Sequence, residues 1–423
     1  MRYMKNSTTN NLTVAVIGAG AAGLMAAGTA AQQGACVLLF EHNEKVGRKL
    51  AITGKGRCNV TNNCDAQTFL SNVPQNPRFL YSALGAFSVQ DTMAFFEKLG
   101  VPLKTERGSR VFPVSDRALD VVDALYGWVR RCGVTIVHDE VTDICVGEET
   151  GAVCGVIAGG RLRHADRVIV ATGGKSYPLT GSTGDGYVWA EKLGHTVTPL
   201  RASLVPLVCA GKDCPRLQGL SLKNVTLTIF ENNKKLHEGF GEMLFTHFGI
   251  SGPLVLSASS HMRKWDKAKY RAEIDFKPAL DEATLDKRIL SDFSGELNTD
   301  FRNSLGALLP RKLIPIVVER SGIDPHQKVN AITKKQRHAL VRVLKHFELE
   351  ITEPRPVTDA IITSGGISVR EITPKTMQSK KVPNLYFAGE IIDVDAYTGG
   401  FNLQIAWSTG YLAGLNAGQN TGE

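Results

Sequence analysis

The spacing of apolar residues changes period along the chain, and each change predicts an element. Leu12, Val14, Val16 and Ile17 make a short β run that breaks at Gly18. An alanine-rich stretch then predicts a helix from about Ala21 to Gln33, ended by Gly34. Cys36 to Phe40 reads as a second strand, closed by Glu41. Val168 to Gly174 is a short apolar strand running into small residues. Leu385 to Ala388 is another, followed by Gly389-Glu390, a glycine-rich turn and an apolar helix. Val225 to Glu231 alternates as a half-buried strand does. Leu280 to His346 has helical spacing, carried by Leu285, Ile289, Leu305, Leu308, Leu309, Leu340, Val343 and Leu344. The polar ends, MRYMKNSTTN and GQNTGE, are expected to be loose.

Leu12 to Ala31 carries no charge and is about long enough to span a bilayer. A β run broken by glycine does not suit a spanning helix, so no membrane segment is expected. Residues 1–11 lack the apolar stretch and cleavage site of a signal peptide.

Leu12 to Glu41 is a complete βαβ unit with the spacing GxGxxG at Gly18, Gly20 and Gly23. Gly18 permits the tight turn from strand to helix. Gly20 lets a pyrophosphate approach the backbone. Gly23 lets the helix pack close to the sheet. The helix N-terminus, with Ala21 and Ala22, offers free N–H groups and a positive dipole end to phosphates. Glu41 stands where an acid accepts the ribose hydroxyls of an adenosine. An acid there disfavours a 2′-phosphate, so FAD or NAD(H) is the expected resident nucleotide.

Two distant segments favour FAD. Val168 to Gly174 suits a crossing close to a bound dinucleotide. Asn384 to Gly410 resembles the C-terminal flavin segment of two-dinucleotide-domain flavoproteins. There an acid after the strand binds the ribityl chain, and a helix N-terminus faces the flavin C2 carbonyl and stabilises the anionic reduced flavin. No second GxGxxG occurs, so NADH or NADPH is expected only as a transient donor.

A chain of 423 residues predicts two or three domains. With 43% apolar and 21% charged residues it is globular in composition. The eight cysteines form no CxxC pair and no zinc spacing. They suit the reduced thiols of a cytoplasmic enzyme, and no metal site is expected. The net charge of +8 is concentrated between Phe301 and Glu350, with ten Lys and Arg against four Asp and Glu. Arg311, Lys312, Lys334, Lys335, Arg337, Arg342 and Lys345 fall there. Such a run is either a solvated helical face, the commoner case, or a patch for phosphates.

Four motifs carry a family resemblance over nearly the whole length. They are GAGAAG; ITGKGRCNVTN, from Ile52 to Asn62; LFTHFGISGP, from Leu244 to Pro253; and the C-terminal pair ITSGGISVREITPKTMQSK and LYFAGEIIDVDAYTGGFNLQIAWSTG. With these the chain resembles the BaiN/YhiN-type NAD(P)/FAD-dependent oxidoreductases. The resemblance implies an α/β fold: a discontinuous Rossmann-type FAD-binding domain, about 1–195 and 357–423. Into it would be inserted a β-rich domain, about 196–274 continuing at 340–356, and a small helical domain, about 275–339. It also implies reduction of a conjugated carbon–carbon double bond. Known members act on uridine in large-subunit ribosomal RNA or on an enone of bile-acid type. A polyanionic RNA calls for Lys and Arg, which the basic helical insert supplies; a steroid-like substrate does not. A flavin protein without efficient turnover is the third class. Lys55, and Asp395-Ala396-Tyr397, depart from the GGGRCN and Trp-containing forms of the RNA-modifying members. The oligomeric state is not legible.

By the same resemblance the cofactor contacts are Gly18, Gly20, Ala21, Ala22, Gly23, Glu41, Arg48, Lys49, Arg57, Cys58, Asn59, Val141, Ala171, Thr172, Gly173, Gly389, Glu390, Asp393, Gly400, Asn402, Leu403 and Gln404. Arg57 and Lys55 are expected to offset negative charge on the reduced flavin or the substrate. Basic neighbours are expected to lower the pKa of Cys58. Cys58 is then either the proton donor to the substrate carbon opposite the hydride, or a packing residue in a tight loop. His247 is either an acid/base or a histidine that fixes a turn. Tyr397 is either a donor or a wall of the site. His195, Asp213 and Cys214 are assigned no role.

Overall fold

The computed structural model describes residues 12–419. The polar segments 1–10 and 420–423 lie outside the described residues. The chain forms two compact units, one of residues up to Ala202 and from Ile361 onward, the other Ser203–Ala360.

The first unit holds a five-stranded sheet. Its strands lie in the order Leu385–Phe387, Arg167–Val170, Thr13–Ile17, Cys36–Phe40, Thr135–Val137. All four pairings are parallel. Parallel strands covered on both faces read as continuous apolar runs, and Val14 to Ile17 are all buried. The helix Ala21–Gln32 follows the first strand directly. Val141–Val146, Val153–Ala158 and Arg161–His164 form a separate antiparallel sheet.

The last helix, Phe401–Gly418, packs on the first through a ridge of small residues. A Cβ on Gly410, Gly414 or Gly418 would stand 2.5, 2.3 or 2.6 Å from the carbonyl oxygens of Ala22, Ala26 and Ala30 respectively. Residues four apart share a helix face, so two such rows interdigitate along their length. The pairing rises in both helices together, so they run parallel. Gly410 matches Ala22, so the last helix begins about 12 Å further out than the first.

The second unit is a closed barrel of six strands. Its order is Leu207–Cys209, Gly249–Ser251, Lys234–Phe245, Ser221–Glu231, Tyr270–Asp275, Phe347–Pro354. The strand expected from Val225 starts at Ser221; a register shift between Leu222 and Val225 hides its first residues from the alternation. The helices Glu282–Ser294, Ile314–Ser321 and Lys334–Lys345 share one apolar core with the barrel. Leu285, Ile289, Leu340 and Leu344 lie in it with Leu227, Ile274 and Phe347. Asp281 caps the first of these helices. Thr333 and Gln336 form a capping box on the last. Among the described residues no helix is long and apolar enough to cross a membrane.

Candidate functional site

The three fingerprint glycines meet three different demands. Gly18 has φ of 96°, and a Cβ there would lie 2.7 Å from the carbonyl oxygen of Ala171. A Cβ on Gly23 would lie 1.8 Å from the carbonyl oxygen of Gly18. A Cβ on Gly20 would meet nothing within 4 Å. Two glycines are therefore demanded by the fold. The third faces open space at the start of a helix that no side chain caps. That is the arrangement expected of a phosphate cradle.

Ala171 donates its N–H to the carbonyl of Ile17 at 2.9 Å, so the second expected crossing does run beside Gly18. Gly173 has φ of 74°, and the buried Thr172 hydroxyl has no hydrogen-bond partner among the described residues. Gly389 joins the same place: its Cβ would stand 2.7 Å from that of Ala22. Val141 is buried where the antiparallel sheet begins.

Glu41 is buried at the end of its strand. It accepts the N–H of Ala19 at 3.0 Å and the backbone and side-chain N–H groups of Asn43 at 2.9 and 2.7 Å. Arg48 is exposed and donates to the Asn43 side chain. Lys49 reaches across 341 positions of sequence to Glu390 at 2.6 Å, and also donates to Ser176 at 2.6 Å. The other Glu390 oxygen accepts the N–H of Thr363 at 2.8 Å and the hydroxyl of Ser176 at 3.1 Å. Ser176 and Thr363 were not anticipated. Each is one hydroxyl in a glycine-rich run, and nothing local marks it.

A second cluster surrounds the start of the last helix. Thr53, Gly54 and Lys55 break the helix Arg48–Gly56, and both Gly54 and Lys55 take left-handed φ. The chain from Arg57 then lies along the last helix, where Trp407 donates to the Val60 carbonyl at 2.9 Å. The buried Asn59 side-chain oxygen has no partner among the described residues. It would lie 2.9 Å from a Cβ on Gly400, the N-cap residue of the last helix, which no side chain caps. Leu403 is half-buried on the first turn.

Two expectations are corrected here, the lowered Cys58 pKa and the free charge of Arg57. Cys58 has no exposed surface, and burial pushes its thiol up to about 12 instead of down. Its basic neighbours point elsewhere: Arg57 lies over the Phe112 ring at 4.1 Å and is bound by Glu106 and Asp116, so it is not free to offset charge on a flavin. The hydrogen bond to Glu106, then that to Asp116, raises the Arg57 pKa. Gln404 is fully buried and bonds to Thr61, Ser408 and the carbonyls of Phe87 and Ser88, so its side chain holds the scaffold. Asn402 likewise clamps Ala396 and Tyr397. Asp393 is buried and accepts from Gln75 and Asn76. Tyr397 is half-buried, its N–H held by the Asn72 carbonyl at 3.0 Å. His247 belongs to the second unit, exposed and edge-on to Phe248. Its turn is closed by Thr246, whose N–H and hydroxyl both bond to Gly249.

Comparison with known proteins agrees with the fold. The family model of the HI0933-like protein Rossmann domain matches residues 12–416. The chain belongs to this family, which bears out the resemblance read from its motifs. It is 33% identical over 411 residues to the 3-dehydro-bile acid delta(4,6)-reductase of Clostridium scindens, covering 96% of this chain and 99% of the relative. It is also 33% identical over 399 residues to the ribosomal RNA dihydrouridine synthase of Escherichia coli, covering 94% and 95%. Among solved structures, the 3-ketosteroid-delta4-(5alpha)-dehydrogenase of Rhodococcus jostii aligns over 99% of both chains with a TM-score of 0.53 at 16% identity, a likeness of fold.

Proposed function

We propose that the first unit binds FAD and that the protein uses NADH or NADPH to reduce a conjugated carbon–carbon double bond. The parallel pair of helices carries this reading. Their uncapped N-termini face the same way, staggered by about 12 Å, one suited to a pyrophosphate and the other to the electron-rich end of an extended dinucleotide. The open space at Gly20 and the unpartnered oxygens of Asn59 and Thr172 fit such an occupant.

FAD, when bound, supplies hydride transfer between the nicotinamide and the substrate. The chain supplies the rest. Glu41 keeps lone pairs for ribose hydroxyls beyond those given to Ala19 and Asn43. The Lys49–Glu390 pair fixes the loop after Phe387 against the helix Arg48–Gly56. Tyr397 holds the proton, at its phenol oxygen, for the second substrate carbon. Buried Cys58 takes the packing role.

Uridine in ribosomal RNA is the substrate class we favour. The exposed cations of the helical segment that form no ion pair among the described residues support it. A small steroid-like enone is the second reading, favoured by the Clostridium scindens relative at equal identity. The test is anaerobic. The purified protein is mixed with NADH or NADPH and flavin bleaching is followed; ribosomal RNA transcripts or small enones are then added. Reoxidation by RNA alone supports the first reading, and reoxidation by enones alone supports the second. Absence of bleaching with either nicotinamide rejects both and leaves a flavin protein without turnover.

A further inference from the structure

The ten Lys and Arg between Phe301 and Glu350 divide into two groups. Arg320 pairs with Asp213, Lys328 with Asp300, Arg337 with Asp286 and Lys345 with Asp275. The side chains of Arg337 and Lys345 are only 11% and 12% exposed, so these pairs belong to the fold. Among the described residues, Arg302, Arg311, Lys312, Lys334, Lys335 and Arg342 enter no ion pair, and all are exposed.

Arg302 and Arg311 stand beside a groove of about 1040 Å³. Its floor is apolar: Leu309, Val318 and Ile323 are buried beneath it. Asn303 lines it too. The acid at its edge, Glu319, is neutralised by Arg216 at 2.7 Å. We propose that this groove anchors single-stranded RNA, seating one unpaired base on the apolar floor with its flanking phosphates on Arg302 and Arg311. The inference rests on the RNA reading above and locates the contact.

The chemistry is specific in three ways. The faces of a nucleobase are apolar and its edges polar, which suits an aliphatic floor beside the Asn303 carboxamide. Guanidinium groups grip phosphate oxygens in pairs, which Lys cannot do. A duplex hides its base faces, so an unpaired segment is required. A single small anion needs one cation. Two arginines here, with Lys334, Lys335 and Arg342 exposed on the neighbouring helix, suit a polyanion.

The test uses the full-length protein and a fluorescein-labelled oligouridine of about twelve nucleotides. Binding is read by anisotropy between about 50 and 200 mM salt. Arg302→Ala with Arg311→Ala is expected to weaken binding at least about tenfold. It should flatten the plot of log affinity against log salt by about 1.4, since each phosphate contact to a single strand contributes about 0.7. Gly306→Leu fills the groove without removing charge, because a Cβ there meets nothing within 4 Å. It should weaken binding and leave the slope unchanged. Lys98→Ala with Arg161→Ala, two exposed cations of the other unit, should change neither. If the arginine pair and Gly306→Leu both bind as wild type does, the groove is not the contact, while the RNA reading stands. If wild type binds no RNA, that reading fails and the groove assignment with it.

Discussion

Gly414 faces Ala26 so closely that a Cβ on Gly414 would lie 2.3 Å from the Ala26 carbonyl oxygen. Backbone cannot yield as a flexible side chain does. Gly414→Ala is therefore expected to push the helices apart and cost about 1–3 kcal/mol, the range of an overpacked core. It should also weaken flavin retention, because the two helix N-termini then move apart. Urea melting and the flavin-to-protein absorbance ratio measure the two effects. Wild-type values in both would remove the helix contact as the organiser of the site.

The Lys49–Glu390 pair makes a separate prediction. Glu390→Gln keeps acceptors for Thr363 and Ser176 but takes the charge from Lys49. Hydrogen bonds to charged groups contribute about 1.5–3 kcal/mol, and a loss near the lower figure is expected. A double-mutant cycle with Lys49→Met should show coupling of about 0.5 kcal/mol or more. Additive single effects would mean that the contact contributes nothing.

Tyr397 and Cys58 are separated by turnover. Tyr397→Phe should retain flavin and lose about 10²- to 10⁴-fold in kcat, as for a removed general acid. Cys58→Ser should turn over near the wild-type rate, and native Cys58 should resist iodoacetamide at neutral pH because its thiol is buried and protonated. Unchanged turnover in Tyr397→Phe would make Tyr397 a wall.

Stability should fall on mild acidification. The rings of His237 and His261 stack at 4.3 Å. Burial, then the charges of His237 and Arg263, lowers His261 to about 4; burial lowers His237 too, opposed by Glu238. An unfolded His261 takes up its proton near the ordinary value of 6.5. Between these values the unfolded chain binds more protons. The stabilisation is thus full above about 6.5 and is lost as pH falls towards about 4. Urea midpoints should drop from neutral to mildly acid pH, and His261→Gln should flatten that drop. Equal slopes in both proteins would exclude the pair as its cause.

The glycine-rich turn between the first strand and the first helix was legible because its demands are local. Gly18 and Gly23 answer to atoms of the same turn and of the crossing at Ala171, and their spacing states that geometry directly. The strand Cys36–Phe40 followed from its continuous apolar run, and the helix from Ala21 from its alanine content and the glycine that ends it. The charged segment was legible as a sum but not as a surface. Which cations are held by Asp213, Asp275, Asp286 and Asp300 depends on acids brought in by other elements.

Sequence alone thus determined a glycine-rich βαβ unit, the distant strand and helix near the C-terminus, and a basic segment, since each is written in the order and composition of neighbouring residues. Only the tertiary structure decided that Cys58 is sealed and neutral, that Arg57 is held by Glu106 and Asp116, and that Lys49 meets Glu390. It alone matched the glycine row of the last helix to Ala22, Ala26 and Ala30. A side chain's pKa, and the partner of a small residue, depend on which remote part of the chain covers it. Local spacing carries no record of that.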